Sequence, residues 1–353
     1  MNRNELLAAI AEDRTIEGVD LGGMDLSRTD LTGARFERVS LRGADLSGAA
    51  LKRTGFKDCD LRGAILTEVD LDQVVWLDMG FQEARFDRAV LNGALLKNCD
   101  LARADLCEAR LHQTVMENCS LDRAGFQRAH LNRAALIGCV LTGADLGEAD
   151  LELTAFIDSD LSGAGLSGAL LHKTFLRGCN LSGQDFSGRK LIEVQADHAN
   201  LLDCNFTGAD LTRSNFMEAG LAGVCLERVT GANVIFGGAN LEGANFRGAI
   251  LFQAYFARSR LSGADFSKAN LEQSIFTGAV CRSARFPDAV CTYVDFSHTD
   301  LTAADFRRAD LSQALLHRCT VDQANWEGAA VKQSLGTDAD LARAEDFKYS
   351  QGD

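Results

Sequence analysis

Six histidines, eleven cysteines and fifty carboxylates are the side chains of this chain that could bind a metal, attack a carbon centre or move a proton. Their placement argues against each of these chemistries. His112, His130, His172, His198, His298 and His317 are dispersed along the sequence. Catalysis requires groups that converge in a concave, desolvated site. Seven cysteines (Cys59, Cys99, Cys119, Cys139, Cys179, Cys204 and Cys319) share one position of a five-residue pattern, and only Cys107 and Cys225 fall on outward positions. Eighteen of the fifty acids are Asp residues that immediately precede an apolar residue of the same pattern. The glycines are absorbed by its turn position, so no phosphate-binding loop stands out. We therefore expect no catalytic residue, no cofactor and no metal, and a protein that is not an enzyme.

The pattern itself is the stronger signal. Every fifth residue from Leu21 to Val331 is apolar, usually Leu or Phe, with Gly231 as the exception, and the phase holds over 63 positions. A spacing of five fits neither the helix nor the strand period and demands a repeating turn. Two residues before each such centre stands a small side chain, as in Ala44-Asp45-Leu46-Ser47-Gly48, Ala144-Asp145-Leu146 and Ala264-Asp265-Phe266-Ser267. Run together, these units resemble the pentapeptide-repeat family over about nine tenths of the chain. The resemblance implies an all-β solenoid, a right-handed quadrilateral parallel β-helix whose centres and small residues point inward.

Aromatic centres support four pentapeptides per coil. Phe36, Phe56, Trp76, Phe156, Phe216, Phe236, Phe256, Phe276 and Phe296 repeat in phase with twenty residues, as do Phe86, Phe126, Phe186, Phe206, Phe246, Phe266, Phe286, Phe306 and Trp326. Only Phe81 falls outside these two columns. About fifteen coils at one strand spacing of ~4.8 Å each are expected. On that spacing His198 and His298 lie roughly 24 Å apart and cannot share a ligand.

Organisation follows from where the repeat starts and fades. We expect a capping helix within residues 1–15, with Asn4 as its cap and Leu6, Leu7 and Ile10 on one face. The repeat domain spans 16–335, with an irregularity at 184–200, and 336–353 form a cap and tail, with a short helix over Asp338 to Asp346 or a partner subunit closing the end. At 184–200 the small-residue slots hold Gln184 and Arg189, and with Lys190 and His198 they mark a candidate kink or docking site.

The net charge of −14 on 353 residues disfavours direct nucleic-acid binding. Successive fifty-residue blocks each carry between −3 and 0, so the acidity forms no single patch. No apolar run is long enough to span a membrane, and eleven cysteines without an apolar signal stretch suit a reducing cytoplasm. The outward residue before the centre, followed by twenties, gives an apolar ridge: Val75, Leu95, Val115 and Phe175, then Ile235, Tyr255, Ile275 and Leu315. Such a line suits a protein partner along an elongated face, or a second copy of the chain. The expected function is a non-enzymatic scaffold or adaptor. The opening Leu6-Leu7-Ala8-Ala9-Ile10, leading into Ile16-Glu17-Gly18-Val19-Asp20-Leu21, is similar to repeat modules of bacterial type VI secretion systems, which implies an accessory role there. The alternative from the same family is a DNA-mimicking protein that binds a topoisomerase, gyrase.

Overall fold

A computed structural model describes residues 1–346; the end of the tail, including Lys348 to Asp353, lies outside the described residues. It is an all-β parallel solenoid with a short N-terminal helix. The described residues fall into two compact units, Met1–Leu181 and a second beginning at Ser182.

In the first unit α1 (Arg3–Ala11) precedes eight short strands: β1 (Ile16–Glu17), β2 (Arg35–Glu37), β3 (Gly55–Lys57), β4 (Val75–Leu77), β5 (Leu95–Lys97), β6 (Val115–Glu117), β7 (Ala135–Ile137) and β8 (Ala155–Ile157). The helix is capped by Asn2, not Asn4. The Asn2 side chain accepts from the Glu5 N–H while the Glu5 carboxylate accepts from the Asn2 N–H, a reciprocal capping box that an Asn4 cap could not make. Leu6 and Ala9 are buried, and Arg3 reaches the Ser27 carbonyl and the Thr29 hydroxyl to fix the helix on the first turn.

Except between β3 and β4, successive strands pair in parallel with the residues twenty positions on, as in Arg35↔Gly55 and Val75↔Leu95. Three further columns of bridges keep the same register, for example Asp20↔Ser40, Asp25↔Asp45 and Asp30↔Ala50. The second unit repeats this through Asp185↔Asn205, Lys190↔Asp210, Gln195↔Asn215 and Asn200↔Gly220, and ends in α2 (Ala339–Asp346). Through 181–200 the turn-and-bridge pattern stays in phase.

The turns explain the five-residue period. At most corners the carbonyl of the centre accepts the N–H three residues on, as from Leu41 to Ala44 at 3.0 Å, and the third turn residue has a left-handed φ, such as Gly43 at 62° or Gln73 at 57°. The Asp before the centre is tied to the same corner. Its Oδ1 accepts the N–H two residues on: Gly22 to Asp20 at 2.9 Å, Ser187 to Asp185 at 3.0 Å, Ser297 to Asp295 at 2.8 Å. This Asx-type bond is why Asp and Asn dominate the position.

The core holds the centres and the small residues. Phe236, Phe256, Phe276 and Phe296 stack at 4.6–5.3 Å, and Phe246, Phe266, Phe286, Phe306 and Trp326 at 4.6–5.0 Å. The two columns meet edge to face, Phe256 and Phe266 at 5.7 Å. Offset and T-shaped contacts each add about 0.5–1.5 kcal/mol beyond burial. The out-of-phase Phe81 packs against Trp76 at 4.6 Å and Phe86 at 5.4 Å. The centre that Gly231 leaves small is filled by neighbours: a Cβ there would meet Leu251 Cδ2 at 3.0 Å and Val234 Cγ1 at 3.1 Å.

Where the small slot carries a polar group, the core satisfies it. The hydroxyls of Thr114 and Thr154 donate to the carbonyls of Leu91 and Leu131 on the preceding turn, at 2.6 and 2.8 Å. The Cys139 thiol and the Ser159 hydroxyl, one turn apart, make the same bond to Met116 and Leu136. Cysteine is thus a small core donor here, and all eleven are free thiols.

One seam interrupts the first unit. The strands form two sheets, β1-β2-β3 and β4-β5-β6-β7-β8, so β3 and β4 do not pair. The turns remain joined by Ala50↔Asp70 and Asp60↔Gly80 on either side.

Candidate functional site

The ridge residues of the first unit lie in one hydrogen-bonded column. Val75↔Leu95, Leu95↔Val115, Val115↔Ala135, Ala135↔Ala155 and Ala155↔Phe175 are successive parallel partners. Val75 is 62% and Phe175 40% exposed, while Leu95 and Val115 between them are half-buried. Alternation along the strand adds residues that the sequence reading did not include: Leu77 and Ile137, two positions on from Val75 and Ala135, are exposed on the same face. Lys97 and Glu117 break this parallel column with an ion pair at 2.8 Å.

In the second unit Ile235↔Tyr255 and Tyr255↔Ile275 are partners, followed by Asp295 and Leu315. Tyr255 and Ile275 are each 38% exposed. The Tyr255 ring lies over Gly237, where a Cβ would come within 2.8 Å of the ring. Gly237 therefore allows the aromatic side chain to lie along the face. Beside this column Gln253 donates to Gln273 at 2.8 Å and Gln313 to Gln333 at 3.1 Å, so the glutamine ladder partly satisfies itself.

The residues marked for a kink or docking are spread over several positions. Gln184 is buried in the small-residue slot and its backbone carbonyl accepts from Asn205. Arg189 occupies the next slot half-buried, and burial pulls its guanidinium below the ordinary arginine range while Asp185 opposes this. Lys190 points to solvent in the bridge to Asp210, and His198 pairs with Glu218 at 3.4 Å.

Histidine dispersal needs a correction. His298 and His317 stand on adjacent turns with ring centroids 5.3 Å apart, and Glu345 of α2 lies against both, 3.2 Å from each Nε2. The nineteen-residue spacing hid this pair, because His317 occupies the position just after its centre and His298 the next one. Among the described residues this trio is the one group of three side chains whose ligand atoms come close enough to share an ion. Two contacts oppose a cation. The Asp338 N–H donates to His317 Nδ1 at 3.1 Å, which leaves the proton of the neutral ring on Nε2, and the Arg318 guanidinium sits 3.3 Å from Glu345. The cluster reads as a clamp for α2. Hydrogen bonds from His317 and then His298 hold the Glu345 carboxyl below its ordinary range, Arg318 pairs with Asp346 at 2.5 Å, and Asp338 caps the helix through the N–H groups of Asp340 and Leu341.

No helix among the described residues is long and apolar enough to cross a membrane. The chain matches the pentapeptide-repeat description in overlapping segments between residues 119 and 321, and the pentapeptide repeat region over 29–106. It belongs to the pentapeptide-repeat family. No curated protein matches it. Solved structures similar to it include full-length QnrB1, described as a plasmid-mediated fluoroquinolone resistance protein, at 22% identity over 62% of this chain and 93% of that one, TM-score 0.23. HetL from the cyanobacterium Nostoc sp. strain PCC 7120, involved in heterocyst differentiation regulation, matches at 21% identity over 96% and 98%, TM-score 0.13. A thylakoid-lumen pentapeptide repeat protein from Arabidopsis thaliana, AT2G44920, matches at 30% identity over 39% and 71%, TM-score 0.16.

Proposed function

We propose that this protein is a non-enzymatic scaffold or adaptor that binds another protein along the apolar ridge. The observation that carries this reading is the register-locked column from Val75 to Phe175, apolar at every step and solvent-exposed at both ends. A continuous line of apolar side chains along one column suits a flat, elongated protein surface. Within the same reading the repeat winds as a right-handed, four-sided coil of about fifteen turns, in a reducing cytoplasm. An accessory role in a type VI secretion system rests on the resemblance of the N-terminal residues alone. The DNA-mimicking alternative is weakened by the Asp ladder, since those carboxylates are turned onto their own corners by the N–H groups of residues such as Gly22 and Ser187.

The test is a variant carrying Val75→Lys, Leu95→Lys, Val115→Lys and Phe175→Lys, compared with the parent for proteins retained from a lysate of the native host. Circular dichroism should be unchanged, because all four side chains point outward. Loss of a specific partner supports the ridge; an identical set of partners assigns the ridge to strand packing.

A further inference from the structure

In the second unit each turn hands three sides of backbone groups to the turn after it. On the turn that starts at Leu301, the N–H groups of Leu301, Ala303, Phe306, Arg308, Leu311 and Gln313 donate to the next turn at 2.7–2.9 Å, and the carbonyls of Ala304, Ala309 and Ala314 accept from it at 2.8–2.9 Å. On the last turn the equivalent N–H groups of Val321, Gln323, Trp326, Gly328, Val331 and Gln333, and the carbonyls of Ala324, Ala329 and Ser334, have no partner among the described residues. The core positions are open as well. Val321 is 41% and Val331 49% exposed where Leu301 and Leu311 are buried, and Trp326, stacked on Phe306 at 4.6 Å, is only half-buried. Helix α2 does not close this end: it turns back along the side, where Asp338 meets His317, the Ala342 carbonyl meets Arg318 and Glu345 reaches His298 of the turn before, and none of its residues is buried. The first turn of the chain differs, since α1 packs there through Leu6 and Ala9, and Leu21, Leu26 and Leu31 are buried.

We propose that this last turn docks a coil of the same five-residue repeat carried by a partner protein, stacked on Val321, Trp326 and Val331 as one more turn. Free strand edges are templates for an added chain, and the backbone here dictates the shape of that chain. The open groups lie in three sets: Val321, Gln323 and Ala324; Trp326, Gly328 and Ala329; Val331, Gln333 and Ser334. Between the sets the chain turns corners at which Gln323, Gly328 and Gln333 have left-handed φ values of 59°, 71° and 57°. A straight strand reaches one set, whereas a chain that bends every five residues reaches all three. Three successive pentapeptides with Leu or Phe centres and small inward residues would also cover the exposed centres, continuing the turn-on-turn packing that stabilises the rest of the repeat. The partner coil must itself have an uncovered leading side, which excludes the N-terminal end of a second copy, where α1 lies. This inference stands apart from the ridge.

Amide hydrogen exchange tests it directly on the full chain. In the free protein the amides of Val321, Gln323, Trp326, Gly328, Val331 and Gln333 should exchange far faster than their equivalents from Leu301 to Gln313 one turn earlier. The probe is a synthetic peptide with the sequence of Arg260–Ile275. In the folded chain the carbonyls of Arg260, Ser262, Asp265, Ser267, Asn270 and Glu272 accept from the equivalent six N–H groups, those of the turn that starts at Leu241, at 2.7–3.0 Å, and the peptide keeps the phase that sets Leu261, Phe266 and Leu271 over Val321, Trp326 and Val331. At saturating concentration it should slow the six amides by about tenfold or more, and a peptide of the same composition in scrambled order should not. Equal protection of the two turns in the free protein would mean that the end is already covered and would overturn the proposal. So would equal slowing by the scrambled peptide, which reports apolar contact without register, or no slowing by either peptide at millimolar concentration.

Discussion

At the scale of single residues, the inward slot before each centre decides what the chain tolerates. Thr114, Cys139 and Ser159 place different atoms in the same kind of slot and all donate to a carbonyl of the preceding turn. Cys139→Ser should therefore cost less than about 1 kcal/mol in denaturant unfolding, because the hydroxyl inherits the thiol's bond, whereas Thr114→Val should cost about 1 kcal/mol through the lost hydrogen bond. Native-state alkylation tests the other side of this assignment. Burial pushes the Cys179 thiol up to about 12 and the Cys204 thiol up to about 11, so both should stay unlabelled while Cys107 and Cys225, which are partly exposed, react first. The thiol positions were legible in the sequence because the slot is periodic. Their bonding was not, since each acceptor lies twenty-three residues away on another turn.

Elements in this protein are short, and what holds them is stacking between turns. Phe256 touches Phe236 and Phe276 in its own column and Phe246 and Phe266 in the other, all within 5.7 Å. Phe256→Ala should cost about 3–5 kcal/mol, and Phe56→Ala less, because its ring is half-exposed beside the seam. The sequence announced these columns through their twenty-residue phase, yet gave no sign of the seam, because Phe56 and Trp76 keep the phase while their strands do not pair. It also hid the clamp on α2, which lies outside the repeat and meets His298 and His317 only in three dimensions. The Glu345 carboxyl has its folded-state pKa depressed, so its contribution to docking α2 is present above the unfolded carboxylate range near ~4.3 and is lost as the pH falls through the folded value. Glu345→Gln should raise amide exchange in Ala342 and Arg343 at neutral pH, to the rate the parent reaches only in acid. Unchanged exchange in the variant would show that Arg318, through Asp346 and the Ala342 carbonyl, suffices to hold the helix.

Over the whole molecule the acidity has a structural origin. The eighteen Asp residues that precede a centre supply more than the net charge of −14, and the repeat needs them for its corners rather than for a partner. The N–H of Gly22 and then the Ser40 hydroxyl hold the Asp20 carboxyl below its usual range, and the Ser187 N–H and hydroxyl do the same for Asp185. Asp20 and Asp185 each bind fewer protons folded than unfolded. The stabilisation from each is complete above the unfolded value near ~3.9 and disappears as the pH drops through the depressed folded value. Because Asp20 and Asp185 are exposed, one alone contributes little; the effect comes from the other corners whose Asp is likewise held low, Asp25, Asp30, Asp60, Asp160, Asp265, Asp300 and Asp305, along a chain whose stability is close to a sum over turns. The denaturation midpoint should be flat from neutral pH down to about 5 and then fall steeply between about 4 and 2. Asp→Asn at Asp20 and Asp185 tests the cause, since the amide oxygen keeps the Asx bond, as Asn205 and Asn245 already do at 3.0 and 3.1 Å, but does not titrate in this range. Extending that exchange along the ladder should shift the acid transition to lower pH with little change in stability at pH 7, while an acid transition that stays in place would move its origin to the paired carboxylates of the charged surface.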